Sequence, residues 1–132
     1  MLTGCIMPAL LPEVNHATAQ VLAANGYRVY APPAQRCCGA LQAHTGEIET
    51  ARQLARHNIA RFEATDAEWV VVNSAGCGAL MKEYGHLLRD DPAFAARAEA
   101  FSKRVRDVSE MLAAAPLRQP LQPVPLRVAY DD

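Results

Sequence analysis

The chain contains 132 residues, of which 51% are hydrophobic and 20% are charged, and its formal net charge is -1. This length and composition predict one globular domain and exclude a disordered or fibrous chain. Acidic and basic residues are mixed along the chain, and no apolar run approaches the roughly 20 residues that span a bilayer, so we expect neither a nucleic-acid partner nor direct membrane insertion.

The first thirty or so positions predict a strand, a helix and a second strand. The apolar segment 1–4 indicates a short buried strand. Apolar residues then recur at helical spacing over 14–22, with Pro12 suited to the first turn and Asn25-Gly26 suited to the end of the helix. Residues 27–30 are rich in β-branched and aromatic side chains, which favours a second strand.

The middle of the chain predicts a long helix, a strand and two further helices. Thr45 is a plausible cap for an apolar pattern of helical period that runs to Phe62. Residues 69–72 form the most apolar run and predict a strand that is buried on both faces. We expect one helix after Cys77-Gly78 and another that starts at Asp91-Pro92.

The last part of the chain predicts a short strand at 105–108, a helix, and then a change of character. Four prolines fall within 116–125, and neither a helix nor a central strand tolerates such a density. We therefore expect a domain at 1–115 and a linker at 116–125. Residues 126–132 are interpreted as the truncated first strand of a following repeat, or as an added edge strand.

The alternation of strands and helices predicts an α/β fold: a single domain built on a three-layer, Rossmann-like open parallel sheet with helices on both faces. In such a sheet the carboxyl ends of the strands meet at one edge, where ligands bind. The four cysteines of the chain each follow a predicted strand; they are Cys5, Cys37, Cys38 and Cys77. We therefore expect the four thiols to converge at this edge.

The compartment and the neighbours of the cysteines favour metal binding or redox chemistry. The chain starts without a signal-peptide pattern, so we expect a cytoplasmic protein, in which structural disulfides are rare. Gly39 and Gly78 let the backbone approach a bulky group and offer N–H donors to it. The alternative is that each cysteine is a small buried hydrophobic residue. His44 lies six residues beyond Cys38. We consider two roles for it: an exposed or capping histidine at a helix end, or a ligand to iron.

Three segments stand out around the cysteines: Gly4-Cys5, residues 37–41 followed by His44 and Gly46, and residues 73–78. They resemble the cysteine-rich CCG domain, and within that family the first copy of the domain in the iron-sulfur subunit of glycolate oxidase (glycolate dehydrogenase). The resemblance implies an iron-sulfur cluster held by the four cysteines, with Gly39 and Gly78 beside it. It also implies that the chain is the first of two such copies, excised from a longer polypeptide.

A related protein, the cysteine-rich subunit of heterodisulfide reductase, has a fuller pattern that ends in Cys-x-x-Cys. Here Cys77 is followed by Gly78, Ala79 and Leu80, so the fifth cysteine of the non-cubane cluster is missing. Four thiolates still suffice for a [4Fe-4S] cluster, which we expect, or for a [2Fe-2S] cluster. Zinc, or no metal in an isolated fragment, is the alternative.

The resemblance implies an electron-transfer module of a flavin-dependent complex that oxidises glycolate to glyoxylate. Its partners would be a flavin-containing catalytic subunit and other iron-sulfur domains, which would also account for a peripheral position at the inner membrane. The chain has no G-x-G-x-x-G fingerprint for a flavin nucleotide, so we expect it to be inactive alone. One alternative is a thiol-disulfide redox domain of the heterodisulfide-reductase type that uses Cys37 and Cys38 or a neighbouring cysteine. The other is a zinc-binding or metal-free docking module.

Overall fold

Short helices surround a small parallel sheet in the computed structural model, which describes residues 1–118, 122–127 and 129. The elements in these residues are, in chain order, α1 (Met7–Leu10), α2 (Pro12–Ala24), α3 (Ala40–His44), α4 (Ile48–Glu63), β1 (Val70–Val72), α5 (Ala75–Lys82), α6 (Tyr84–Leu87), α7 (Ala95–Ser102), β2 (Val105–Asp107) and α8 (Val108–Ala113).

The regular sheet of the described residues consists of β1 and β2, which pair in parallel. Val70 faces Val105 and Val72 faces Asp107 across the pair. Parallel strands need a long crossover connection, and here α5, α6 and α7 supply it. The predicted strands at 69–72 and 105–108 are thereby confirmed, and so is the mixed helix and strand character of the fold.

The predicted strands at 1–4 and 27–30 are not regular strands. The Leu2 N–H donates to the Val71 carbonyl over 2.8 Å, which places the start of the chain beside β1. At Thr3, however, side-chain amides occupy the backbone groups that a ladder would use. The Thr3 N–H donates to Gln35 Oε1 over 2.9 Å, and the Thr3 carbonyl accepts from Asn15 Nδ2 over 3.0 Å. A regular ladder therefore does not extend past β1.

Both faces of β1 are buried, as the apolar run predicts. Val70 and Val72 belong to the larger core cluster, with Phe62 from α4 and residues of α5, α6 and α7. Val71 belongs to a second cluster, with Leu22 from α2 and Met111 from α8. The alternation of side chains along a strand explains this division.

The long helix expected from Thr45 to Phe62 is α4, which starts at Ile48, and α3, a short helix that was not predicted, precedes it. α3 ends at His44, and the Thr45 hydroxyl donates to the Leu41 carbonyl over 3.0 Å, which closes α3 and does not cap α4. Gly46 then adopts a φ of +84°, a left-handed conformation that glycine accepts readily. α4 starts two residues later, at Ile48.

The last residues of the chain are described in part. The predicted strand at 126–130 falls partly on positions outside the described residues, as does the predicted linker at 116–125. Among the helices of the described ranges, none has the length and apolar character needed to cross a bilayer.

Candidate cysteine site

The four cysteines line one cavity of about 340 Å³ beside the carboxyl end of β1. Cys5 follows the segment beside β1, Cys37 and Cys38 precede α3, and Cys77 lies in the first turn of α5. Val72, the last residue of β1, is also part of the cavity wall. The structure thus brings together at one edge all four residues that the sequence places there.

Cys5 and Cys37, the outer pair, lie in contact at the open side of the molecule. Their Sγ atoms are 3.4 Å apart, and Cys5 is exposed whereas Cys37 is half-buried. Partial desolvation and the neighbouring Cys37 thiol together raise the pKa of Cys5. The Gly39 N–H donates to Cys37 Sγ over 3.4 Å, so a backbone amide faces this sulfur.

Cys38 and Cys77, the inner pair, both line the cavity and affect each other's pKa. The neighbouring Cys38 thiol is the main reason why the pKa of Cys77 is lowered to about 6, with a smaller contribution from the Ser74 hydroxyl. The neighbouring Cys77 sulfur and burial raise the pKa of Cys38, which is 2% exposed. Of the two, Cys77 is therefore the one that more readily becomes a thiolate.

A fully buried asparagine on α4 holds the backbone that leads into the cysteine pair. Asn58 Oδ1 accepts from the Arg36 N–H over 2.8 Å, and Asn58 Nδ2 donates to the carbonyls of Arg36 (3.2 Å) and Cys37 (3.0 Å). Asn58 was not among the site residues predicted from the sequence. Its one signal is a polar side chain on the buried face of α4, between Ala55 and Phe62.

A buried tyrosine holds the next carbonyl along the chain. The Tyr84 hydroxyl donates to the Cys38 carbonyl over 2.7 Å, and its ring stacks on Phe101 with 5.5 Å between the ring centroids. Burial raises the pKa of Tyr84, so the hydroxyl stays protonated and acts as a donor. Together, Asn58 and Tyr84 fix both carbonyls of the cysteine pair.

A second group of polar side chains ties the remaining loops to each other. Asn73 Nδ2, just after β1, donates to Asn15 Oδ1 (2.9 Å) and to the Thr18 hydroxyl (3.0 Å). Asn15 also donates to the carbonyl of Thr3, two residues before Cys5. The loop before Cys77 and the segment before Cys5 are therefore both anchored to α2.

The predicted glycines play different parts. Gly39 has a φ of +89°, and a Cβ atom there would lie 3.3 Å from the Ala51 Cα, so both its conformation and its contact with α4 require glycine. Gly78 is buried within α5, where an added Cβ would lie 3.9 Å from the Val72 side chain. Gly4 and Gly76 line the cavity.

Two further polar side chains, His44 and Lys82, are not part of the cavity wall. His44 is exposed at the end of α3 and is not part of the cavity wall. Lys82 pairs with Glu110 at 2.8 Å and so joins α5 to α8. Among residues 1–118, 122–127 and 129, no three His, Cys, Asp or Glu side chains are arranged as a ligand group for a metal ion.

The donor set nevertheless suits a metal cofactor. Four cysteines line one cavity, the pKa of Cys77 is lowered, which favours its thiolate, and thiolate is the form that metals bind. Backbone amides such as that of Gly39 stand beside the sulfurs, as they do around iron-sulfur clusters, whose potentials depend on such bonds. The residues present therefore fit an iron-sulfur cluster.

Comparison with known proteins gives a family and a set of relatives. The family model described as a cysteine-rich domain, CCG, matches residues 1–82. The probable glycolate oxidase iron-sulfur subunit of Bacillus subtilis is 46% identical over 110 residues, which is 83% of this chain and 25% of that protein. The glycolate oxidase iron-sulfur subunit of Escherichia coli is 38% identical over 122 residues, 90% of this chain and 30% of that protein.

A third relative has a different name. Lactate utilization protein A of an Exiguobacterium species is 35% identical over 108 residues, 82% of this chain and 44% of that protein. The chain thus spans less than half the length of each of these relatives. No solved structure matches it.

Proposed function

Because the chain belongs to the CCG cysteine-rich domain family, we propose that it is an iron-sulfur electron-transfer module of a flavin-dependent complex that oxidises glycolate to glyoxylate. The observation that carries the proposal is the convergence of four cysteine thiols on one cavity. Two of the relatives named above are iron-sulfur subunits of glycolate oxidase. We choose glycolate over lactate because the relatives named for glycolate are more similar to this chain.

The four cysteines would hold the cluster, which we propose to be of the [4Fe-4S] type, with Gly39 and Gly78 beside it. A bound cluster accepts and releases single electrons. The chain itself contributes thiolates, the Gly39 amide, and an apolar wall that includes Leu2 and Val72 and limits the access of water. The proposal takes residues 1–115 as the cysteine-rich unit, with a three-layer open sheet, and 116–125 as a linker.

The chemistry on glycolate would belong to a separate flavin-containing subunit, with other iron-sulfur domains completing the path of the electrons. The isolated chain is then expected to bind a cluster and not to oxidise glycolate. Contact with these partners would also be the way in which the complex reaches the inner membrane, as a peripheral assembly.

Iron and acid-labile sulfide analysis after anaerobic purification tests the proposal. Wild type should contain iron and sulfide in equal amounts, with visible absorbance, because four thiolates suffice for a cluster. Cys38→Ser should lose most of the iron. His44→Ala is the matched control and should keep it, since His44 lies outside the cavity wall.

Three results would contradict the proposal. Equal iron in wild type and Cys38→Ser would remove the cysteine site as the ligand set. Zinc without sulfide would indicate a structural metal. A cluster that stays oxidised when glycolate and the flavin subunit are added, yet is reduced by dithionite, would overturn the assignment to glycolate oxidation while leaving the cluster in place.

A further inference from the structure

The two cysteines of the outer pair are distant in sequence and adjacent in space. Thirty-one residues separate Cys5 from Cys37 in the chain, whereas their Sγ atoms are 3.4 Å apart. A disulfide bond holds its sulfurs about 2.05 Å apart, so the two atoms need to approach by only about 1.4 Å to form one. Cys5 is exposed, and a small reagent can therefore reach it from solution.

A glutamine holds the two segments together just before the two cysteines. Gln35 Oε1 accepts from the Thr3 N–H over 2.9 Å, and Gln35 Nε2 donates to the carbonyls of Met1 (3.4 Å) and Pro32 (3.1 Å). Gln35 lies two residues before Cys37, and Thr3 lies two residues before Cys5. The contact between the thiols is thus supported by hydrogen bonds within the chain itself.

The other possible pairings of the cysteines are less accessible. A bond between Cys37 and Cys38 would strain the peptide between them, and both of their carbonyls are already held, by Asn58 and Tyr84. In the inner pair Cys77 is half-buried and Cys38 is 2% exposed, so an oxidant as large as a small-molecule disulfide reaches this pair less readily than the exposed Cys5. The outer pair has neither obstacle.

We propose that Cys5 and Cys37 form a disulfide bond when the cysteine site holds no cluster, with a small-molecule disulfide as the oxidant. In mildly alkaline solution the exposed Cys5 loses its proton, and its thiolate attacks one sulfur of the oxidant and releases the other half as a small thiol, which leaves a mixed disulfide on Cys5. Cys37 then attacks Cys5 Sγ and releases the second thiol. Two electrons and two protons pass from the protein to the oxidant. The bond removes two of the four thiolates and so blocks cluster assembly until it is reduced.

Peptide mapping of the metal-free chain tests this pairing. The chelated, reduced protein is incubated anaerobically with oxidised glutathione, blocked with iodoacetamide and digested with trypsin without reduction. Cleavage after Lys and Arg places Cys5 in peptide 1–28, both Cys37 and Cys38 in peptide 37–52, and Cys77 in peptide 62–82. The Cys5–Cys37, Cys37–Cys38 and Cys38–Cys77 bonds each give a product of different mass.

The expected product is peptide 1–28 joined to peptide 37–52. Cys38→Ser should retain this product and Cys37→Ser should lose it completely, with circular dichroism to confirm that both variants fold. A predominant link between 37–52 and 62–82 would overturn the proposal. So would a peptide 37–52 that carries an internal disulfide, two hydrogens lighter, without the link to 1–28.

Iron uptake connects the bond to the site. The oxidised chain should take up less iron and sulfide than the reduced chain, and dithiothreitol should restore uptake. Equal uptake by the two forms would contradict the block on assembly. The mapping itself uses the metal-free chain, so its result does not depend on the proposed function. An absence of iron in every sample would refute the proposed function, whereas the disulfide proposal would still be decided by the linked peptides.

Discussion

The inner and the outer pair of cysteines line the same cavity but are held by different parts of the molecule. Cys38 of the inner pair is 2% exposed, and its carbonyl accepts from a buried tyrosine that stacks in the main core. Cys5 of the outer pair is exposed, and polar side chains of surface segments fasten the residues before it. The core therefore holds Cys37 and Cys38, whereas the position of Cys5 depends on hydrogen bonds from α2 and from the loop before Cys37.

Because of this difference, the protonation of the inner pair and the accessibility of the outer pair have different causes. In the inner pair, burial and the contact between the two groups raise the pKa of Cys38 and lower that of Cys77, so folding favours the thiolate at Cys77. In the outer pair, the exposure of Cys5 leaves its sulfur open to small reagents. The site thus combines a cysteine whose pKa is lowered by the fold with a pair that solution conditions can change.

The largest expected effect that separates the pairs is the pH dependence of alkylation in the metal-free chain. Because only the thiolate reacts, Cys77 should react with iodoacetamide with a midpoint near its pKa of about 6 and lose this reactivity as the pH falls below it. The yield of modified peptide 62–82 against pH measures the midpoint. Cys5, whose pKa is raised, should react only in more alkaline solution.

Cys38→Ala supplies the control for this midpoint. The variant removes the donor that stabilises the Cys77 thiolate, so the midpoint should rise toward that of an ordinary thiol, about 8.5. An unchanged midpoint in this variant, or a wild-type midpoint already near that value, would show that Cys38 does not lower the pKa of Cys77.

Asn58→Ala should have the next largest effect. The substitution leaves the Arg36 N–H and the carbonyls of Arg36 and Cys37 without their partner. Each buried polar group that loses its partner costs about 1–3 kcal/mol, so we expect the free energy of unfolding to fall by about 3 kcal/mol. Urea titration followed by circular dichroism measures it. Gln53→Ala, at an exposed position of the same helix, should change it by less than about 0.5 kcal/mol.

Tyr84→Phe should have a smaller effect, because it keeps the stacked ring and removes one hydrogen bond. The Cys38 carbonyl loses its donor, and we expect a loss of about 1–2 kcal/mol in the free energy of unfolding. Tyr30→Phe is the matched control, since Tyr30 is 55% exposed. Equal stability of the two variants would mean that the tyrosine hydroxyl does not hold the inner pair.

Much of this architecture could be predicted from local patterns, and the exceptions have physical causes. β1, β2 and most of the helix content follow from apolar runs and helical periodicity. The segment 1–4 departs from a regular strand because Gln35 and Asn15 bond to Thr3, and no local pattern reveals side chains that come from elsewhere in the chain. The left-handed conformation of Gly46 likewise places the start of α4 at Ile48, later than the predicted start at Thr45.

The site shows the same division between local and long-range information. That the four cysteines meet follows from their positions after predicted strands. Their grouping into pairs depends on loop conformations, which the strand pattern does not specify. The role of Asn58 was not predicted either. A single polar residue on a buried helix face indicates that it has a hydrogen-bond partner but does not identify that partner.

Gln35→Ala should have the smallest effect on stability and the most selective one on the site. Gln35 is partly exposed, and its bonds to Thr3, Met1 and Pro32 contribute about 1 kcal/mol together if water replaces some of them. The variant should nevertheless lower the yield of the Cys5–Cys37 disulfide, because the two segments are no longer fastened together, while the alkylation midpoint of Cys77 stays the same. Gln20→Ala, exposed on α2, should change neither quantity. A shift in the Cys77 midpoint in Gln35→Ala would show that the hydrogen bonds of Gln35 also affect the inner pair. The two pairs would then not be held independently of each other.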